Sequence, residues 1–193
     1  KKFFKTIFTI FLAIAAATLV RTFLIQVYYI PSSSMEPTLQ VDDRVLVLKN
    51  TFIETDISSG EIVVFYSPQA QFKESYFEEF VESFQIWKLR NDDTYLNTAL
   101  IKRVVGNSGD EVTVKESGEV FVNGNRFTVL NINEGRNFKE QTYIVPANEI
   151  FVLGDNRINS QDSRYIGTIP NKNIVGKAIY VIFPFDNFKK IDD

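Results

Sequence analysis

The sequence contains neither histidine nor cysteine, and these two absences remove most of the common hydrolytic centres. Without cysteine there is no disulfide framework, no thiol nucleophile and no zinc–thiolate site. Without histidine, the Ser-His-Asp arrangement and histidine-based metal sites are excluded as well. A nucleophilic hydrolase built from this chain must therefore activate a hydroxyl group with a lysine or an amino terminus.

A strong excess of positive charge is also lacking. The 21 Lys and Arg residues are balanced by 24 Asp and Glu residues, which gives a net charge of −3. Because no cluster of basic residues stands out, we expect no nucleic-acid partner. The chain has 193 residues, of which 45% are hydrophobic and 23% charged, as expected for one folded domain with an attachment.

An apolar segment lies close to the amino terminus. Three lysines precede the uncharged run Thr6–Val20, whose 15 residues span about 22 Å as a helix, less than the roughly 30 Å hydrocarbon core. A helix extended back to Phe3 and past Arg21 closes this difference if the flanking cations reach the two interfaces. We therefore expect residues 1–30 to form a cytoplasmic stub and a transmembrane anchor that leads into the first strand.

The lysines favour a cytoplasmic amino terminus, which would place residues 31–193 on the extracytoplasmic face of the cell membrane as a single-pass protein. A removable signal peptide is the alternative, because Ala15-Ala16-Ala17 could form a cleavage site. The apolar character resumes over 22–30, which favours the uncleaved anchor. In both interpretations, the domain that follows is exported across the membrane.

Residues 31–193 read mainly as short strands that are rich in β-branched residues and separated by turns. Asn123-Gly124 is a hairpin signal, since both positions tolerate positive φ. No alternation of strands and helices suggests a parallel sheet, so we predict a mainly antiparallel β domain. The predicted strands cover 44–48, 61–66, 100–105, 111–115, 119–122, 127–130, 142–145, 149–153 and 174–183.

One segment departs from the strand pattern. Over 71–90, aromatic residues recur every four positions, which predicts a helix of about five turns within an insertion at about 69–98. An amphipathic helix packed on the β domain is one interpretation. A helix at the membrane surface or beside the substrate is the other, because the aromatic content is high for a small packing face.

Three polar segments carry residues that could do chemistry. Residues 31–39 (PSSSMEPTL) form a serine-rich segment directly after the anchor. Residues 99–106 (ALIKRVVG) place Lys102 and Arg103 on opposite, otherwise apolar faces of a strand. A lysine in an apolar environment loses its proton more readily, whereas arginine stays charged. Residues 154–164 (GDNRINSQDSR) form a polar loop rich in possible Asp–Arg pairs.

Together, in this order and at this approximate spacing, the three segments resemble the conserved boxes of bacterial type I signal peptidases. Residues 60–65 (GEIVVF) are similar to a further segment of that family. The resemblance runs from the anchor to about Pro184. It implies a signal-peptidase-like antiparallel β domain with one amino-terminal transmembrane helix and a helical insertion.

The resemblance also implies roles for individual residues. Ser34 would be the nucleophile, and Lys102 its general base and later the acid for the leaving amine. Ser160 would orient the lysine, and Ser32 would supply an oxyanion-hole hydroxyl beside the Ser34 N–H. Structural support of the site would come from Met35, Asp155, Asp162 and Arg164.

The substrates implied are preproteins that carry signal peptides, cleaved after Ala-x-Ala-like sites. The lipid bilayer would be the second partner, and the enzyme would act as a monomer without a metal or other cofactor.

Three rival interpretations remain. A self-cleaving repressor-type protease uses a similar Ser/Lys pair, but it carries a DNA-binding domain where this chain has an apolar segment. A membrane-tethered scaffold with a degenerate peptidase fold is a second possibility, but the presence of both Ser34 and Lys102 counts against it. A β module unrelated to peptidases would leave the three ordered motif matches to chance.

Overall fold

The computed structural model describes residues 2–49, 57–68, 99–129, 132, 133, 135 and 138–191, and for 18–23 the backbone only. The predicted helix over 71–90 and the insertion at about 69–98 lie outside the described residues. The helices within these ranges are α1 (Lys2–Phe23), α2 (Ser163–Ile166) and four short 3-10 helices. The strands are β1 (Ile25–Tyr29), β2 (Arg44–Lys49), β3 (Ile62–Tyr66), β4 (Ala99–Gly106), β5 (Glu111–Val114), β6 (Val120–Val122), β7 (Asn125–Arg126), β8 (Gln141–Ile144), β9 (Glu149–Leu153), β10 (Ile169–Pro170), β11 (Ile174–Phe183) and β12 (Lys189–Lys190).

The described strands form two antiparallel sheets. The larger has eight strands in the order β1-β2-β11-β3-β4-β9-β10, with β12 paired to β11, and the smaller has four in the order β7-β6-β5-β8. The prediction of a mainly β, antiparallel fold is confirmed. Strand β4 lies between β3 and β9, where Val63 pairs with Lys102 and Leu153 pairs with Arg103. A strand with neighbours on both sides holds its side chains in fixed positions.

The hairpin signal is confirmed, since Asn123 and Gly124 form a turn with φ of 51° and 78°. The strand predicted over 127–130 is wrong at its described residues 127–129, because β7 already ends at Arg126. Phe127 packs against the core cluster of the smaller sheet, which explains an apolar residue there without a strand. Its backbone N–H still donates to the Val120 carbonyl at 2.8 Å.

Among the described residues, the core consists of three clusters of buried apolar side chains. One of them joins side chains of β2, β3 and β11 to Ile30, Met35 and Leu39, which lie in the segment between β1 and β2. The serine-rich segment is therefore anchored in the core rather than solvated, because Met35 and Leu39 are fully buried on either side of a tight turn.

The apolar amino-terminal segment forms helix α1, which is followed by β1 after one residue. The described side chains of α1, those of residues 2–17, include large apolar ones that are exposed around much of the helix, among them Phe3, Phe8, Phe11 and Ile14. No helix in the described part of the chain is both long and apolar enough to cross a membrane.

Candidate active site

The segment between β1 and β2 positions Ser34. Residues Ser33–Met35 form a single 3-10 turn, and the Leu39 N–H donates to the Met35 carbonyl at 3.0 Å. Since the Met35 side chain is fully buried, the preceding residue is held at the core surface, where Ser34 is 8% exposed. This is the local reason that a serine-rich segment becomes an ordered turn here.

Strand β4 carries two adjacent buried cations, Lys102 at 4% and Arg103 at 2% exposure. Both faces of the strand are otherwise apolar in sequence, and the structure buries both cations. Arg103 is compensated by the Asp155 carboxylate through hydrogen bonds of 2.9 and 2.8 Å, and by the Gly60 carbonyl at 2.5 Å. Lys102 instead donates to two neutral acceptors, the Ser34 hydroxyl and the Ile101 carbonyl, both at 2.8 Å.

This difference in partners gives Lys102 its acid–base character. Burial lowers the pKa of Lys102 to about 8, against the opposing influence of the Asp162 and Asp155 carboxylates, which favour the charged form. A desolvated ammonium without a close counter-ion gives up its proton more easily, which is what a general base requires near neutral pH. The Lys102 Nζ and Ser34 Oγ atoms are within proton-transfer distance.

The loop between β9 and α2 forms the opposite wall of the site. Asp162 caps α2, accepts the Gly154 N–H at 3.0 Å and pairs with the Arg164 guanidinium at 2.8 Å. Arg164 also donates to the Arg157 carbonyl at 2.7 Å and lies over the Phe138 ring. The contacts of Asp162 and Arg164 thus link the two ends of the loop.

Asp155 links this loop to both other segments. Besides its ion pair with Arg103 of β4, its carboxylate accepts the Thr38 hydroxyl at 2.5 Å. Asp155 is fully buried, so a single carboxylate joins the loop, the Lys102 strand and the nucleophile turn. Such a buried charge is tolerable only when it is fully paired.

The two predicted accessory serines both lie near Ser34. The Ser32 hydroxyl is 3.5 Å from the Ser34 hydroxyl, and Ser32 is exposed. The Ser160 hydroxyl is buried and makes no hydrogen bond within the described residues, so its predicted bond to Lys102 is not formed here. Gly154 lets Ser160 approach: a Cβ there would overlap Ser160 Oγ and would lie 2.6 Å from the Ser34 carbonyl oxygen.

Several residues of these motifs have contacts in the site that the sequence did not indicate. Thr38 and Arg103 are the partners of Asp155. Asn156 donates from its backbone to the Ser34 carbonyl at 3.1 Å and from its side chain to the Ser33 carbonyl at 3.1 Å. Asn159 donates to the Ser33 hydroxyl at 2.7 Å. Only their position within polar motifs could have indicated these contacts, since no sequence pattern specifies which turn a loop amide reaches.

The geometry suits attack by a hydroxyl group on an acyl carbon. A hydroxyl lies beside a buried amine, and a second hydroxyl lies close to the first, where an oxyanion would form. Within the described ranges, no three carboxylates come together as ligands for a metal ion.

Comparison with known proteins places this sequence in a family. A sequence model of the family described as signal peptidase, peptidase S26, matches residues 3–183. The chain belongs to the signal peptidase family. The prediction of a peptidase of this family is thereby confirmed, and an unrelated β module is excluded.

Similar proteins bear the same family name. The chain is 35% identical over 183 residues to a signal peptidase I of Leptolyngbya laminosa, covering 95% of this chain and 81% of that protein. It is 37% identical over 176 residues to a probable signal peptidase I-2 of Synechocystis sp., covering 91% and 71%. A crystal structure of a signal peptidase I from Enterococcus faecalis V583 aligns with a TM-score of 0.44 and 21% identity, over 64% of this chain and 97% of the other.

Proposed function

We propose that this protein is a membrane-bound serine endopeptidase that removes amino-terminal signal peptides from exported preproteins, with Ser34 as nucleophile and Lys102 as general base. The observation that carries the proposal is the 2.8 Å contact between the Ser34 hydroxyl and the buried Lys102 amine. Membership of the signal peptidase family supports the reaction class.

The first step needs a neutral lysine. With a pKa of about 8, roughly one Lys102 in ten is neutral at pH 7, compared with about one in three thousand at the ordinary value of 10.5. The neutral amine takes the Ser34 proton as Oγ attacks the scissile carbonyl carbon. The C–O bond forms while the carbonyl π electrons move onto oxygen, which gives a tetrahedral oxyanion.

Two groups are available to stabilise that oxyanion, the Ser34 backbone N–H and the Ser32 hydroxyl. Their positions support this role, since the Ser32 and Ser34 hydroxyls are 3.5 Å apart and Ser32 is exposed. Loss of one donor of this kind typically costs about 3 kcal/mol of transition-state stabilisation.

The charged Lys102 then returns its proton to the leaving amine, and the C–N bond breaks to leave an acyl group on Ser34. Water, deprotonated by the same lysine, hydrolyses this ester and regenerates the free hydroxyl. In this scheme the Ser160 hydroxyl, which is buried and has no partner among the described residues, orients the lysine. Met35, Asp155, Asp162 and Arg164 act as support, because their contacts anchor the three segments and touch no reacting atom.

The substrate is a signal peptide cleaved after small residues in an Ala-x-Ala-like pattern. The proposal is that the residues before the cleavage site bind as an added strand, with small pockets that accept alternate side chains. Backbone pairing would give affinity without regard to sequence, and the pockets would give specificity.

Helix α1 is proposed as the single anchor, with the amino terminus in the cytoplasm and the catalytic domain on the extracytoplasmic face. Its 22 residues measure about 33 Å, and the large apolar side chains described within it are exposed. The lysines at its start favour this orientation. The proposal is that the catalytic domain acts as a monomer.

Cleavage of a precursor with a mapped site tests this function. In detergent micelles, the purified protein is expected to cut a precursor with an Ala-x-Ala site directly after the second alanine, as read from the masses of both products. A matched precursor with bulky residues at both alanine positions should remain intact. Failure to cut several precursors by a folded protein would favour the scaffold interpretation.

A further inference from the structure

The loop between β9 and α2 makes two amide contacts with Ser33, the residue that precedes the proposed nucleophile. The Asn156 side chain reaches the Ser33 carbonyl oxygen, whereas the Asn159 side chain reaches the Ser33 hydroxyl. These two contacts come from the same loop and end on the same residue, but only the first bears on the orientation of the backbone.

Within a trans peptide unit, the carbonyl of one residue and the N–H of the next point in opposite directions. The unit that joins Ser33 to Ser34 is trans, because the only cis bonds among the described residues precede Pro37 and Pro184. A hydrogen bond that fixes the Ser33 carbonyl therefore also fixes the direction of the Ser34 N–H, which is a proposed oxyanion donor.

The Ser33 carbonyl is held from two sides. The Glu36 N–H donates to it at 3.1 Å from within the turn, and the Asn156 amide donates at 3.1 Å from the loop. The backbone N–H of Asn156 holds the next carbonyl, that of Ser34, at 3.1 Å. Two consecutive carbonyls thus face the loop, and the N–H between them is directed away from Asn156.

We infer that the Asn156 side chain is a positioning residue for the oxyanion hole, because it aims the Ser34 N–H through the Ser33 carbonyl. The inference rests on the proposed function and adds a residue to it. An oxyanion donor is effective only when it is already oriented before charge develops. A turn of a few tens of degrees of this peptide plane would move the N–H off the oxyanion position while leaving substrate contacts in place.

The test compares Asn156→Leu and Asn156→Asp, both close in size to asparagine and both without an amide donor, with Asn159→Leu as the matched control. Each is assayed in the full chain on the Ala-x-Ala precursor for kcat, KM and the pH profile, together with thermal unfolding. The Asn156 variants should lose at least tenfold in kcat, with KM changed less than twofold and the apparent pKa of the pH profile unchanged. The loss in kcat of Asn159→Leu should be clearly smaller than that of the Asn156 variants.

Several results would overturn the inference. A folded Asn156 variant with wild-type kcat, equal losses in the Asn156 and Asn159 variants, or a displaced pH profile would each do so. So would the unfolding of both Asn156 variants, since the residue would then serve the fold rather than the donor. If the wild-type protein itself does not cleave the precursor, the proposed function has failed, and the comparison of variants is not reached.

Discussion

Lys102 and Arg103 are neighbours in sequence with opposite electrostatic surroundings. Arg103 is buried against a carboxylate, whereas Lys102 is buried against a hydroxyl and a carbonyl. Because no carboxylate contacts the buried Lys102 amine, its ammonium form is destabilised, and burying it lowers the stability of the folded protein. At this scale, the chemistry of the proposed site is a consequence of which cation receives the counter-ion.

The pH dependence of cleavage follows from this arrangement. Because only neutral Lys102 can accept the Ser34 proton, kcat/KM should rise with pH and level off above an apparent pKa of about 8. Between pH 6 and pH 7 the expected increase is nearly tenfold. Initial rates on a peptide substrate from pH 5.5 to pH 9.5 would measure this. A profile that is flat across this range would contradict a lysine base with a lowered pKa.

The same pKa predicts a gain in stability when the cation is removed. The folded-state pKa of Lys102 lies below its unfolded value, so between about pH 8 and 10.5 the unfolded chain binds more protons, and stability rises with pH there. At pH 7, Lys102 is still mostly charged in the folded protein, so nearly the full free-energy cost of burying the cation is present. Lys102→Met should raise the free energy of unfolding at pH 7 by roughly 2 kcal/mol, after allowance for the lost hydrogen bond to Ser34.

Urea unfolding at pH 7 and pH 9.5 measures this difference, which should narrow at the higher pH. A variant that is less stable than the wild type at pH 7 would show that the amine stabilises the fold.

Residue identities alone predicted Ser34 and Lys102 as a pair through their motifs. They could not predict that Ser160 Oγ would lie buried without a partner, since side-chain rotation depends on packing against Gly154.

At the scale of elements, the β9–α2 loop joins strand β4 to the nucleophile turn through Asp155. Its carboxylate reaches Arg103 on the strand and Thr38 beside the turn. The three segments are far apart in sequence, but this one residue sets their relative positions. The site therefore depends on an ion pair that takes no part in the chemistry.

Removal of that carboxylate should be costly. Asp155→Asn leaves the Arg103 guanidinium buried without a counter-ion, and we expect the free energy of unfolding to fall by about 3–5 kcal/mol. The matched control is Glu140→Gln, which breaks the exposed pair with Lys115 and should cost less than about 1 kcal/mol. Chemical denaturation of both variants makes the comparison. Equal, small losses would mean that the buried pair is not a structural link.

Strands with dense β-branched residues were predicted from sequence within one or two residues of their ends. Strands β10 and β12, two residues each, carry too little pattern to be recognised. Their pairing depends on the neighbours β9 and β11, which only the fold brings alongside. The contacts of Asn156 and Asn159 were unpredictable for the same reason, because they join segments more than a hundred residues apart.

At the scale of the whole molecule, a helix with an exposed apolar surface is attached to a β domain with a packed core. Strand β1 joins the two, as it begins two residues after α1 and pairs along its full length with β2. The nucleophile turn follows β1 after three residues. If α1 inserts into a bilayer as proposed, Ser34 is held close to the membrane surface.

Membrane insertion can be tested within α1 itself. Phe11→Asp should weaken binding to lipid vesicles, because a carboxylate at the centre of a membrane helix costs about 3 kcal/mol, or roughly a hundredfold in partitioning. Cleavage of a soluble peptide in detergent should be retained. Ile144→Asp, at a similarly exposed apolar residue on β8, is the control and should bind vesicles as the wild type does. Equal vesicle binding by all three proteins would contradict the anchor.

The measurement that tests the central claim most directly is precursor cleavage by Ser34→Ala and Lys102→Ala. Matched controls are Ser117→Ala and Lys115→Ala, exposed residues of the hairpin between β5 and β6. We expect that both site variants fold but lose at least a thousandfold in kcat/KM, while both controls keep wild-type activity. Cleavage that survives either site substitution would show that Ser34 and Lys102 are not the catalytic pair.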